Sequence, residues 1–137
     1  MKSALILVAS VLVSVVSSGM YVPTAYAVNT FMITETFSCS GLPSLWRAEA
    51  VFNYTFKGGF ESSFIVCVDN QTVQSTGTTS LVGRFTEWSI TVKIIDAGST
   101  TVAQNSAGGH ALKGMTVTAM TADGTIAATA SAQIVRL

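Results

Sequence analysis

Leu45-Trp46-Arg47-Ala48-Glu49-Ala50-Val51-Phe52-Asn53-Tyr54-Thr55-Phe56, then Lys57-Gly58-Gly59, then Phe60-Glu61-Ser62-Ser63-Phe64-Ile65-Val66-Cys67-Val68, is the most clearly patterned part of this chain. In its first arm Trp46, Ala48, Ala50, Phe52, Tyr54 and Phe56 share one parity, while Arg47, Glu49, Asn53 and Thr55 share the other. A period of two with aromatics on one side predicts a half-buried β-strand. The Lys57-Gly58-Gly59 break offers residues that tolerate positive φ, and a second alternating run follows, so the unit reads as a β-hairpin. It holds most of the large aromatics and is expected to form the core of one β-domain.

Working outward, residues 28–37 alternate weakly, with Phe31, Ile33 and Phe37 against Thr30, Thr34 and Thr36, and predict a first strand ending near Cys39. Ser40-Gly41-Leu42-Pro43-Ser44 reads as a turn. Beyond the hairpin, residues 69–79 read as a polar connection, on Asp69-Asn70-Gln71 and Ser75-Thr76-Gly77-Thr78-Thr79. Residues 81–85 suggest a short strand interrupted at Gly83, and Trp88, Ile90, Val92 and Ile94 mark another strand. Asp96-Ala97-Gly98-Ser99 turns the chain into a short partner at 100–104, and residues 105–109 read as a loop. Residues 115–121 lead into Ala122-Asp123-Gly124-Thr125, whose Asp-Gly pair is a hairpin signal. The return strand, 126–135, is built of Ala, Thr and Ser, a thin surface suited to close approach of another layer or to stacking of copies.

No capped segment with a 3.6-residue period stands out. Short strands separated by turn signals predict an all-β, antiparallel sandwich of seven to nine strands, immunoglobulin-like or a small barrel. The cysteine–tryptophan–cysteine spacing of antibody domains is not met, because Cys39 and Cys67 lie too close together and Trp46 follows too soon.

Residues 1–27 read as a cleaved signal peptide. Lys2 is a minimal positive start, residues 4–16 are apolar, and Ala25-Tyr26-Ala27 is a small-x-small cleavage motif. Ser10, Ser14, Ser17, Ser18 and Pro23 dilute the run against the alternative of a membrane anchor. The expected product is residues 28–137, a single exported domain with no membrane span, secreted or held at the cell surface. Without Lys2 it carries six basic and seven acidic side chains, a net charge of −1. That balance does not resemble a nucleic-acid binder. Cys39 and Cys67 are expected to form a disulfide; two buried thiols or an intermolecular bond are the alternatives.

Chemistry-bearing patterns are scarce. His110 is the only histidine and reads as a loop residue; no nucleophile-elbow motif accompanies it. Glu35, Glu49, Glu61 and Glu87 are read as mostly solvent-facing. Asp69, Asp96 and Asp123 each sit at a turn, where they are expected to satisfy backbone donors rather than bind calcium. Trp46, Trp88 and Tyr54 fall on apolar parities and are assigned to the core rather than to sugar stacking. Asn53-Tyr54-Thr55 and Asn70-Gln71-Thr72 match the glycosylation sequon, making Asn53 and Asn70 candidate glycan acceptors. No catalytic, cofactor or metal residue is assigned. The function expected is a non-enzymatic structural or assembly protein, associating with itself or other surface proteins by β-strand addition, with residues 28–37 the suggested donor. The alternative is a monomeric binding module using loops 69–79 and 104–110.

Overall fold

The computed structural model describes residues 28–137; the signal peptide expected at residues 1–27 lies outside the described residues. Eight strands follow one another: β1 Val28–Ser40, β2 Arg47–Phe56, β3 Gly59–Cys67, β4 Thr72–Val82, β5 Phe85–Ile95, β6 Thr101–Gly109, β7 Thr116–Met120 and β8 Ala127–Arg136. They build two four-stranded sheets, in the orders β4-β1-β8-β7 and β3-β2-β5-β6, with every pairing antiparallel. The result is the expected β-sandwich.

The β2–β3 hairpin lies where its pattern put it. Ala48, Ala50, Phe52, Tyr54 and Phe56 are all buried, and Trp46 packs against them. Their outward neighbours are only half-buried, as one-sided burial of a strand requires. The turn works differently from the expectation. Gly58 and Gly59 do not adopt positive φ. Glycine is needed at 58 for space, because a Cβ there would stand 1.8 Å from the Val82 carbonyl oxygen. The second arm also differs: Phe60 and Phe64 are 56% and 43% exposed on the outer face, while Glu61, Ser63, Ile65 and Cys67 point inward.

Two expected loops lie within strands. Residues 72–79 belong to β4, paired along its length with β1, and residues 105–109 continue the strand expected at 100–104 into β6, paired with β5. Their Thr, Ser, Gly, Asn and Gln side chains resemble loop composition, but the neighbouring strands satisfy the backbone hydrogen bonds of one edge of each. The recognition loops expected at 69–79 and 104–110 therefore reduce to the tight turn Asp69-Asn70-Gln71 and to His110. Asp69 and Asn70 both adopt positive φ there, a conformation that Asn and Asp tolerate better than most residues.

β1 is an interior strand, flanked by β4 and β8. Phe31, Ile33, Phe37 and Cys39 on its inner face are buried opposite the other sheet. The Ala-rich β8 lies between β1 and β7, and its Ala128 and Ala130 are fully buried. Small side chains there let the layers come close. Cys39 and Cys67 form an intramolecular disulfide that joins the end of β1 in one sheet to the end of β3 in the other.

Candidate functional site

Four distant segments meet at one end of the sandwich. The start of β1 supplies Asn29 and Phe31, the β4–β5 corner Arg84 and Phe85, the segment after β6 His110 and Leu112, and the end of β8 Arg136. Together they line a cleft of about 270 Å³. Two of its lining rings meet through the buried Phe56: the Phe31 and Phe56 ring centroids are 4.9 Å apart, and Phe56 and Phe85 are 5.8 Å apart in an edge-on arrangement. Such pairs hold their rings in fixed relative positions.

The walls are fastened by hydrogen bonds. Asn29 Nδ2 donates to the Gly83 carbonyl at 2.6 Å, fixing β1 to the corner that presents Arg84. Trp88 Nε1 donates to the Ala111 carbonyl at 3.0 Å. His110 Nδ1 lies 3.1 Å from the Thr86 carbonyl. A carbonyl only accepts, so the proton sits on Nδ1, and Nε2 has no partner among the described residues. Arg84, His110 and Arg136 are exposed at the rim. Among the described residues the one ion pair joins Arg47 to Glu49, so neither rim arginine is matched by a carboxylate.

A second constellation lies inside the sandwich. Glu35 and Glu61, expected at the surface, are each only 2% exposed. The parity of each strand turns them inward, Glu35 with Ile33 and Phe37, Glu61 with Ile65. Tyr54 Oη donates to Glu35 Oε2 at 2.6 Å, and Ser63 Oγ donates to the same carboxylate at 2.6 Å. Glu61 stands opposite Tyr54 in the β2–β3 ladder. Its Oε2 and the Thr79 Oγ1 are buried without a partner among the described residues. Burial, then repulsion from Glu35, pushes the Glu61 carboxyl up to about 8. Burial also raises Glu35, against the opposing hydrogen bonds of Ser63 and Tyr54. Burial and the adjacent Glu35 push the Tyr54 phenol upward, so it stays a donor. The pair is enclosed by the core.

The remaining sequence candidates are dispersed. Asp96 Oδ1 accepts from the Gly98 and Thr100 amides, and Asp123 Oδ1 from the Thr125 amide and the Thr121 and Thr125 hydroxyls. These bonds, led by the Thr125 amide, pull Asp123 down to about 2. Both aspartates satisfy their own turns, as expected. Trp88 and Tyr54 are core residues with their polar atoms bonded. Asn53 lies on the outer face of β2, within 3.4 Å of Ser89 Oγ, and Asn70 Oδ1 accepts from the Leu42 amide at 2.7 Å. Sequence reasoning missed Arg84 and Arg136, because nothing local marks two arginines from separate parts of the chain as lining one cleft. No protein-family model matches the chain, and no curated protein does.

Proposed function

We propose that this protein is a non-enzymatic, exported structural module that assembles by pairing the open edges of its sheets. One observation carries the reading. The four edge strands β3, β4, β6 and β7 contain a single charged residue, Glu61, and it faces the core. They contain no proline and no lysine. Monomeric β-proteins commonly block their edges with such residues, since an unpaired edge is a template for another strand. β6 is the most open of the four, with most of its side chains exposed on both faces. Edge addition also suits the interior place of β1 better than donation of residues 28–37, which would divide its own sheet between β4 and β8.

Export is supported by the signal-like composition of residues 1–27 and by the disulfide, which persists in oxidising compartments. Among the described residues no helix is long and apolar enough to cross a membrane. Of the two sequons, Asn53 is on interior strand β2 and Asn70 is in the turn that joins edge strands β3 and β4.

Native mass at micromolar concentration, without reductant, tests the reading. The parent chain is expected to form species that grow with concentration. Thr78→Lys on β4 and Ala107→Lys on β6 add a charge to exposed edge positions and are expected to shift that distribution toward monomer. A parent chain that stays monomeric at every concentration refutes the proposal, as does assembly that the double variant leaves untouched.

A further inference from the structure

We propose that the end cleft is a binding site for a small carboxylate carried on an apolar, preferably aromatic, body. Residues 28–137 hold six basic side chains, and two of them, Arg84 and Arg136, line this one cleft with the only histidine. None of the seven acidic side chains lines it. Residues 1–27 contain no acid that would neutralise it from outside the described residues. Two cations brought to one rim repel each other, and a carboxylate between them relieves that repulsion. Guanidinium groups offer paired donors that match a carboxylate's two oxygens.

The apolar lining supplies the second half of the recognition. Phe31 and Phe85 are joined through Phe56 behind them, and Leu112, 39% exposed, also lines the cleft. An apolar body covering these side chains contributes by removing their surface from water. The cleft volume of about 270 Å³ is at the small end for ligand sites, which limits the guest to one or two rings or a short branched chain. The Asn29–Gly83, Trp88–Ala111 and His110–Thr86 hydrogen bonds hold the walls in place before any guest arrives, so little ordering remains to be done on binding. This site is independent of the sheet edges on which assembly rests.

Calorimetric titration of the purified protein distinguishes the two recognition elements. The probes are 2-naphthoate, the neutral 2-naphthalenemethanol, which keeps the body, and inorganic phosphate, which keeps only a negative charge. Naphthoate is expected to bind, with both other probes at least about tenfold weaker. Arg84→Gln and Arg136→Gln each remove an exposed side chain, leave the fold intact by circular dichroism, and weaken naphthoate about tenfold, while Leu112→Glu abolishes binding. The proposal is overturned by an absence of heat at millimolar naphthoate, by equal affinity for the alcohol or for phosphate, or by a double arginine variant that binds like the parent.

Discussion

Raising the pH through neutrality is expected to destabilise this protein, and Glu61 is the residue that makes it do so. Its carboxyl is pushed up to about 8 by burial and by Glu35, whereas in the unfolded chain it returns to 4.5. Below 4.5 both states hold the proton, and the stabilising contribution is fully present. Between 4.5 and 8 the unfolded chain has released its proton and the folded one has not, so stability falls as pH rises. Above 8 both are ionised and the contribution is gone. At about 1.4 kcal/mol per pH unit, the loss over that window is about 3–5 kcal/mol, the lower end allowing for water that follows the new charge inward. Glu35, also raised, adds a loss of the same sign; Tyr54 stays protonated and Ser63 and Thr79 do not titrate, so none of the three opposes it. Urea denaturation at pH 5 through 9 reads the effect as a falling midpoint. Glu61→Gln keeps the shape and removes both the titration and the repulsion, so its midpoint should vary much less over the same range and exceed the parent's at pH 9. A parent whose stability is level from pH 5 to 8 would overturn this role for Glu61, as would a Gln variant with the parent's slope.

Three further outcomes follow from the same packing. Replacing Cys39 and Cys67 by alanine opens a loop of sequence separation 28 and is expected to cost about 3–4 kcal/mol in chemical denaturation. Phe52→Ala empties a fully buried position at the centre of β2 and should cost about 3–5 kcal/mol by the same assay. Gly58→Ala drives a Cβ against the Val82 carbonyl, forcing the β2–β3 turn away from the end of β4; a loss of about 2 kcal/mol is expected in thermal or urea unfolding.

The legible parts of this fold are those where one face of a strand is apolar throughout. In β2 every inward position from Ala48 to Phe56 is hydrophobic, so parity alone located the strand and its buried face. β4 defeats that approach. Its inward positions include Ser75, Gly77 and Thr79, and its identity as a strand comes from its ladder with β1, far away in sequence. β6 has no apolar period because neither face is well covered. Glu35 shares the parity of Ile33 and Phe37, and Glu61 that of Ile65, so a solvent-facing parity is wrong for both: alternation turns them inside, against the ordinary preference of a carboxylate for water. What makes Glu35 tolerable there, the hydroxyls of Tyr54 and Ser63, comes from two other strands. The cleft was illegible for the same reason: its seven lining residues belong to four segments that only the sheet topology brings together.

The placement of the few charges connects these observations. An isolated β-domain gains from charges on its edges, where they deter pairing, and avoids them in its core, where desolvation is costly. Here the arrangement is reversed. Two acidic side chains occupy the core, two arginines gather at one end cleft, and the edge strands present no charge at all to solvent. Poor solubility alone does not explain the pattern, because the interior pair costs stability without adding solubility and the arginines are concentrated rather than spread. Each departure has a separate reading in physical terms: uncharged edges that accept another strand, a cationic rim that accepts an anion, and a carboxyl pair that keeps the fold more stable in acid than in base. The three are separable by experiment, since edge lysines, rim glutamines and Gln at position 61 act on different parts of the molecule. If the edge lysines dispersed an assembly while naphthoate binding and the pH slope were unchanged, assembly and ligand binding would be two independent uses of one sandwich.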